Sequence, residues 1–366
     1  MNILGIETSC DETAAAVVVD GVEVMSNVVS SQIAKHAPYG GVVPELAARE
    51  HLRNITPVVE AALSEAGVTA SEIDGVAATC RPGLVPALLV GLSYAKGIAA
   101  GGAVPLIGVN HFVGHMYSCF LEEPALLVDE DRYPLVVLVV SGGHTVLASI
   151  ELDGSVRVVG QTLDDAAGEA FDKGAKILEL GYPGGPPIEA LAREGDPGSH
   201  DFPRGLTGGG GKLVSPENRF NFSFSGLKTA LLYRCRDLAR LTDSQRADLA
   251  ASYQAAIVDV LGRKTFDAAE ECEAGSVLLC GGVACNRPLR AVFRHLSDAK
   301  GIDLTVASPK YCTDNAVMIA GAGYHLFAAA RFEDLETAVA ARLPVDLPPL
   351  PFTPQAGTGS TAEALM

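Results

Sequence analysis

Two stretches of the chain follow the same pattern, and this duplication restricts the possible folds more than any other feature. Residues 2–21, NILGIETSCDETAAAVVVDG, and residues 135–154, LVVLVVSGGHTVLASIELDG, each contain an apolar strand, a turn of small polar residues, a second apolar strand and a closing Asp-Gly turn. Helical patterns follow both stretches, at 43–66, 84–100, 166–180 and 188–193. The alternation of strands and helices predicts an α/β protein with two related halves.

Turns of small residues at the ends of the predicted strands indicate a nucleotide site. In residues 8–11 and 141–144, successive backbone amides would surround an anion such as a phosphate. A third glycine turn, Gly281-Gly282 in VLLCGGVACNRPLR, comes directly before a predicted helix, and helix N-termini attract phosphates. The phosphate motifs GxGxxG and GxxxxGK[ST] do not occur as working motifs, which argues against a Rossmann or a P-loop fold.

The order and kind of these motifs resemble the actin-like ATPase superfold, which also includes the sugar kinases. The resemblance implies two related subdomains around a nucleotide cleft. We expect an N-terminal actin-like subdomain at 1–130 and a C-terminal one at 131–343, with a helical insertion at about 166–270. Residues 344–366 are rich first in proline and then in small polar residues, so we expect a disordered or surface-bound tail.

Composition points to a cytoplasmic protein that does not bind nucleic acid by charge alone. The chain opens without the basic region of a signal peptide, and its eight cysteines include no CxxC pair. The most apolar stretch, 84–104, contains Lys96 and four glycines, which favours a buried helix over a membrane span. The net charge is −17, whereas residues 193–264 carry a local net charge of +3. This basic region is either a surface for an acidic partner or an ordinary solvated helical surface.

The stretch GVNHFVGHMYSCFL places His111 and His115 four residues apart on a predicted helix that Asn110 would cap. The two rings are therefore either metal ligands or neighbours on one helix face. The glutamate of HExxH is missing, which argues against a zinc metalloprotease. In CTDNAVMIAGAG, Thr313 or Asp314 would cap a helix of small residues. As a ligand instead, Asp314 would complete a site of two histidines and one carboxylate, which suits iron or zinc.

Nine motifs extend this picture over most of the chain. In order they are GIETSCDETAAAVV, GGVVPELAAREHLRNI, NHFVGHMYS, VSGGHT, GEAFDKGAKILEL, YPGG, FSFSGLKTA, GGVACNRPLR and CTDNAVMIA. The series resembles the universal tRNA N6-adenosine threonylcarbamoyltransferase family, of the bacterial TsaD type. The resemblance implies an acyltransferase that moves the threonylcarbamoyl group of threonylcarbamoyl-AMP to the exocyclic amine of an adenosine. That adenosine lies 3′-adjacent to the anticodon in tRNAs that read codons beginning with A.

The resemblance also implies site residues, which are named here by their positions in this chain. It implies one divalent metal per subunit, iron(II) or else zinc, on His111, His115 and Asp314. It implies substrate contacts from the stretch Val139, Val140, Ser141, Gly142 and Gly143, and from Asp172, Gly185, Glu189 and Asn286. Asp11 and Glu12, in the first turn, are our candidates for positioning the acceptor amine.

Three partners follow from the resemblance besides the donor nucleotide: tRNA, a paralogous dimerisation partner of the TsaB type and a small P-loop ATPase of the TsaE type. No membrane is expected. Partner proteins would also explain how an acidic chain binds tRNA. The rivals are a small-molecule kinase or ATPase of the same superfold, a metalloprotease and a scaffold. The kinase would hold magnesium on carboxylates and needs no histidine pair.

This chain departs from the family pattern at three places. Arg81 replaces a glycine in RPGL, Cys285 replaces a smaller residue in GGVACNRPLR, and a glycine-rich segment precedes FSFSGLKTA. None of the candidate ligands is affected.

Overall fold

A computed structural model describes residues 1–208, 214–237, 241–342 and 347–355. The strands are β1 Asn2–Glu7, β2 Glu12–Val19, β3 Glu23–Val24, β4 Val28–Ser31, β5 Gly75–Arg81, β6 Leu106–Asn110, β7 Leu135–Val140, β8 Thr145–Ile150, β9 Val156–Gln161, β10 Ser276–Cys280 and β11 Asp303–Val306. The helices are α1 Ile33–His36, α2 Pro44–Ala66, α3 Val85–Gly102, α4 His111–Glu122, α5 Ala167–Ile177, α6 Gly185–Ala192, α7 Ser225–Asp237, α8 Asp243–Glu271, α9 Arg287–Lys300, α10 Pro309–Cys312 and α11 Val317–Ala328.

The chain forms two compact units, each built on one sheet. The first unit comprises Met1–Glu130, Leu152–Val156 and the described residues from Thr313 onward, and the second comprises Asp131–Glu151 and Arg157–Cys312. The first sheet has the order β3-β2-β1-β5-β6, with β4 also on β2, and the second has the order β9-β8-β7-β10-β11. In each, a central strand pairs antiparallel with the next strand along the chain and parallel with a later one. The two units thus repeat one topology, as the sequence duplication predicts.

Strand β1 of the first unit is buried on both faces because its side chains alternate between two layers of helices. Leu4 and Ile6 belong to the apolar core that α2 and α3 cover. Gly5 points the other way, toward α11. A methyl group built on Gly5 would lie 2.3 Å from the carbonyl oxygen of Ala316 and 2.9 Å from the Cβ of Ala320. The small residues of α11 therefore let this helix approach the sheet closely, as their run in the sequence predicts.

Helix α3 has the length and hydropathy of a membrane span, alone among the helices of the described ranges, and 33% of it is buried. Its buried residues recur every three or four positions, at Ala87, Leu88, Gly91, Leu92 and Ala95. Thr8 anchors the helix at the first turn, because its hydroxyl donates to the carbonyl of Ala87 and accepts from the amide of Gly91.

The described part of the C-terminal segment, 347–355, lies on the first unit. The amide of Leu350 donates to the carbonyl of Gly154 at 2.8 Å, and the ring of Phe352 packs edge-on against Tyr117 and Phe120 at 5.0 Å between centroids. The rest of the predicted tail, 344–346 and 356–366, lies outside the described residues.

In the second unit, the long helix α8 forms the centre of the helical layer. A capping box between Thr242 and Gln245 begins it. The hydroxyl of Tyr253 donates to the carbonyl of Ala170 and so joins α8 to α5. The buried amine of Lys264 donates to the carbonyls of Leu206 and Arg219. The glycine-rich segment 209–213 between these carbonyls lies outside the described residues.

The approach of α11 to β1 gives a first prediction. Gly5→Ala places a methyl group against the backbone of α11, so we expect it to lower the free energy of unfolding by about 2 kcal/mol or more. Gly97→Ala is the control, because a methyl group there meets open space in the middle of α3 and is expected to stabilise by about 0.5–1 kcal/mol. Urea unfolding measures both, and equal midpoints for the two variants would contradict the packing argument.

Candidate metal centre and substrate-binding surface

Two buried histidines lie on the first turns of α4. The helix begins directly after β6, and Oδ1 of Asn110 accepts hydrogen bonds from the amides of Phe112 and Val113, as predicted for an N-cap. Their spacing of four residues places His111 and His115 on one face, with ring centroids 4.6 Å apart. Only 5% and 1% of their surfaces are exposed, which is unusual for a pair of titratable side chains.

Asp314 joins this pair from the short connection between α10 and α11. Its Oδ1 lies 3.5 Å from Nε2 of His111 and 3.2 Å from Nε2 of His115. One ligand atom from each of the three residues lies within 4.8 Å of the others. The predicted capping role of Thr313 or Asp314 is wrong, because the N-cap position of α11 is Ala316, and Oδ1 of Asn315 accepts the amide of Met318. The carboxylate of Asp314 is thus directed to the histidines.

The three side chains fit a metal ion in their chemistry, and His115 adds a second observation. Both ring nitrogens of His115 are fully buried; Nε2 faces Oδ1 of Asp314 at 3.2 Å, whereas Nδ1 has no hydrogen-bond partner within the described residues. A buried polar atom without a partner costs about 1–3 kcal/mol, so its persistence needs an explanation. Two imidazoles and one carboxylate are ligands for iron or zinc. A metal ion bound by these residues would supply the missing partner.

The electrostatics of the cluster favour a cation. Burial lowers the pKa of His111, but the negative charges of Asp314 and Glu7 outweigh burial and raise this pKa to about 9. Burial and the charge of His111 hold the pKa of His115 below its ordinary value. The two carboxylates therefore stabilise positive charge here, whether it comes from a proton or from a metal ion.

Glu7, which was not among the predicted site residues, lies on the opposite side of the His111 ring. Its Oε2 is 2.9 Å from Nδ1 of His111 and accepts the hydroxyl of Thr79 at 2.6 Å, while its Oε1 accepts the amide of Ser9. Glu7 is 0% exposed. A lone acidic residue in the apolar strand NILGIE was the sequence signal, because a buried carboxylate requires partners.

Asp11 and Glu12 lie in and after the first turn of the same unit. Asp11 is buried, and Glu12 accepts a hydrogen bond from the hydroxyl of Ser31. Burial, with the negative charges of Asp314 and Asp11, raises the pKa of Glu12 to about 9. Burial also raises the pKa of the Cys10 thiol, which argues against a nucleophilic thiolate there.

The predicted substrate contacts all lie in the second unit, where hydrogen bonds and close packing connect them. Val139 and Val140 end β7, and the turn from Ser141 is closed by its amide, which donates to the carbonyl of His144. Gly142 and Gly143 are exposed, and methyl groups built on them meet open space. The carbonyl of Ser141 accepts the amide of Gly168, which places this turn against the start of α5.

Helix α6 continues this surface. Asp172 on α5 accepts the amide of Gly184, which precedes α6, and a methyl group on Gly185 would meet open space. Glu189 accepts the amide of Arg287 at 3.2 Å, and Oδ1 of Asn286 caps α9 at the amide of Leu289.

Gln254 is a further residue of this surface that the sequence did not indicate. The side-chain amide of Asn286 donates to Oε1 of Gln254 at 2.8 Å, and both side chains are buried. Gln254 also lines a cavity with Ala192, Val258, Pro288 and Val292. Since it lies in the middle of the long helix α8, its local sequence gives no sign of this contact.

Comparison with known proteins identifies the family. The family model TsaD, described as tRNA N6-adenosine threonylcarbamoyltransferase, matches residues 23–321. The chain belongs to this family. A protein of that description from Symbiobacterium thermophilum is 53% identical over 334 residues, which are 91% of this chain and 94% of the relative. One from Moorella thermoacetica is 48% identical over 348 residues, 94% of this chain and 97% of the relative. The chain is therefore a transferase that modifies tRNA, as the sequence motifs predict.

Solved structures of low sequence identity share the fold. Full-length HypF in its phosphate- and nucleotide-bound form has a TM-score of 0.56 at 13% identity, covering 91% of this chain and 47% of its own. Component A of (R)-2-hydroxyglutaryl-CoA dehydratase from Acidaminococcus fermentans has a TM-score of 0.51 at 14% identity, covering 90% and 99%. These likenesses confirm the predicted actin-like ATPase fold.

The metal fit can be tested on the purified TsaD chain. We expect His115→Ala to lose bound iron or zinc, since it removes one of three ligands. His295→Ala is the control, because that histidine is exposed on α9 of the second unit. Elemental analysis after reloading and desalting gives the metal content. Equal stoichiometric content in both variants would exclude the centre.

Proposed function

We propose that this TsaD chain transfers the threonylcarbamoyl group of threonylcarbamoyl-AMP to the exocyclic amine of the adenosine 3′-adjacent to the anticodon, in tRNAs that read codons beginning with A. Family membership supplies the reaction class. The observation that carries the site is the cluster of His111, His115 and Asp314, in which the buried Nδ1 of His115 has no hydrogen-bond partner within the described residues.

One divalent metal per subunit is held by these three side chains, iron(II) in preference and zinc as the second choice. A metal ion bound by these side chains would supply Lewis-acid chemistry and offset the negative charge that develops as AMP leaves. A magnesium-dependent kinase of the same fold has no use for two buried imidazoles. A protease of the HExxH type would need a glutamate within the histidine motif, which this chain lacks.

The donor nucleotide binds the connected surface of the second unit. In the turn Ser141-Gly142-Gly143, after Val139 and Val140, the amides of the two exposed glycines contact its phosphate and stabilise negative charge at the carbamoyl oxygen. Asp172 and Glu189 accept the ribose hydroxyls, Gly185 leaves room for the nucleotide, and Asn286 contacts the base. The open space at Gly142, Gly143 and Gly185 supports this arrangement.

Asp11 and Glu12 position the acceptor amine. An aryl amine is a weak nucleophile, but the donor is a mixed anhydride, so attack requires alignment more than a covalent enzyme intermediate. The raised pKa of the Cys10 thiol supports this direct route, because it removes the nearest candidate for a covalent nucleophile.

The protein acts in the cytoplasm, off the membrane, with a TsaB-type paralogue and a TsaE-type ATPase that help an acidic chain bind tRNA. The paralogue docks on a groove of the first unit that is lined by Leu52, Ile55, Leu89, Val90, Ser93 and Tyr94. Leu52 is 67% exposed and Leu89 48%, although both are apolar. A paralogue of the same fold presents an equivalent helix pair, so the two can associate about a pseudo-twofold axis.

The roles of Asp11 and Glu12 are testable in the reconstituted reaction. We expect Asp11→Asn and Glu12→Gln to slow transfer by about 100-fold, because misplacing an attacking group by about 1 Å costs that much. Glu23→Gln, at an exposed glutamate of the same unit, should match the parent. Mass spectrometry of tRNA nucleosides measures the rate. If both variants reacted at the parental rate, Asp11 and Glu12 would not position the acceptor amine.

Docking on the groove is tested by association with the purified paralogue. We expect Leu52→Glu to weaken the complex by about 1.5–3 kcal/mol, the transfer free energy of a buried leucine. Leu335→Glu is the control, because Leu335 is 53% exposed in the same unit but lies outside the groove. Sedimentation velocity reads out both. If Leu52→Glu left the complex unchanged, the paralogue would have to bind another face of the chain. If Leu52→Glu instead abolished a homodimer, the occupant of the groove would be a second copy of this chain.

A further inference from the structure

We infer that Glu7 is a positioning residue of the metal centre. Its carboxylate accepts the Nδ1 hydrogen of His111 and thereby presents Nε2 of that ring to Asp314 and His115. The inference rests on the proposed metal centre and adds to it a residue that was not among the predicted site residues.

Glu7 is held in one orientation by fixed donors. The backbone amide of Ser9 donates to Oε1 at 2.5 Å, and a backbone amide cannot reverse its role. The hydroxyl of Thr79, on the neighbouring strand β5, donates to Oε2 at 2.6 Å. Because the side chain is 0% exposed, no solvent competes for these bonds. The bonds from Ser9 and Thr79 therefore fix the position of the Glu7 carboxylate independently of its contact with His111.

The contact with His111 determines which ring nitrogen carries hydrogen. Nδ1 lies 2.9 Å from Oε2 of Glu7 and 3.1 Å from the hydroxyl of Ser9. A hydroxyl can donate or accept, but an ionised carboxylate only accepts. The shorter contact thus requires a hydrogen on Nδ1, and the hydroxyl of Ser9 adapts to it.

The other nitrogen of the ring is consequently free to act as a ligand. Nε2 of His111 faces Oδ1 of Asp314 at 3.5 Å. Carboxylates that accept the second N–H of a ligating histidine fix its tautomer and raise its basicity. Glu7 and Asp314 together also supply two negative charges, which balance a divalent cation inside the protein.

A purely structural role is the competing explanation, because Glu7 also ties β1 to β5 through Thr79. The two roles separate by substitution. In Glu7→Gln, the amide oxygen is needed at the amide of Ser9, so the NH₂ group takes the place of Oε2 and donates to Nδ1. His111 then carries its hydrogen on Nε2, which disables that nitrogen as a ligand. Thr79→Val removes the tie between the strands and keeps the carboxylate on His111.

The experiment measures zinc affinity of the full chain by competition with a chromophoric chelator. We expect Glu7→Gln to bind zinc about 10–100-fold more weakly than the parent, the range for lost outer-shell partners. Thr79→Val should remain within about threefold of the parent. Glu50→Gln is the matched control, since Glu50 is 2% exposed in the same unit but pairs with Lys35 and Arg53. Parental affinity in folded Glu7→Gln, or an equal loss in Thr79→Val, would overturn the inference.

A spectroscopic measurement on the parent chain covers the case in which Glu7→Gln does not fold. With ¹⁵N-labelled histidine and zinc bound, we expect a downfield proton on Nδ1 of His111, identified by its absence in His111→Ala. Zinc bound at Nδ1, or no proton there, would refute the role of Glu7. Failure of the parent chain to bind zinc would instead refute the proposed metal centre, so the two failures are distinguishable.

Discussion

Helix α11 lies directly on β1 because the surfaces that meet carry almost no side chain. Gly5 faces the carbonyl of Ala316, and the Cβ of Ala320 fills the remaining space. This contact fixes the start of α11, and Asp314 lies just before that start. The close packing of small residues in the first unit therefore places the carboxylate of Asp314 beside His111 and His115, which are distant from it in sequence. The packing of α11 on the sheet and the position of Asp314 both depend on the contact between Gly5 and the start of α11.

Burial then gives the site its chemistry. Two imidazoles and two carboxylates lie together away from water, where unpaired charges are costly and paired ones interact strongly. Glu7 and Asp314 raise the pKa of His111, whereas burial and the charge of His111 lower the pKa of His115. The arrangement gives Glu7 contacts with Ser9, Thr79 and His111 but leaves Nδ1 of His115 without a hydrogen bond within the described residues. A bound metal ion would provide the missing partner for the His115 ring. The transfer reaction of the TsaD family is the chemistry in which that metal would take part.

The sequence predicts those features of the fold and the site that depend on residues close to one another in the chain. The duplicated hairpins, the cap at Asn110 and the shared face of His111 and His115 follow from spacing alone. For Asp314 the sequence does not decide between cap and ligand, because the choice depends on where α11 packs; the N-cap position of that helix is Ala316. Glu7 was missed because its partners come from other strands and from α4, which no local pattern reveals. The predicted subdomain boundary and the individual substrate contacts stay predictions.

The central claim is that the buried histidines and Asp314 hold a metal that the transfer requires. The most direct measurement is threonylcarbamoyladenosine formation by the metal-stripped chain with its partners, unmodified tRNA and threonylcarbamoyl-AMP, before and after addition of iron(II) or zinc. The account predicts that the modified nucleoside appears only after metal is restored, and that Asp314→Asn does not recover. Equal rates for the stripped and reloaded chains would contradict it.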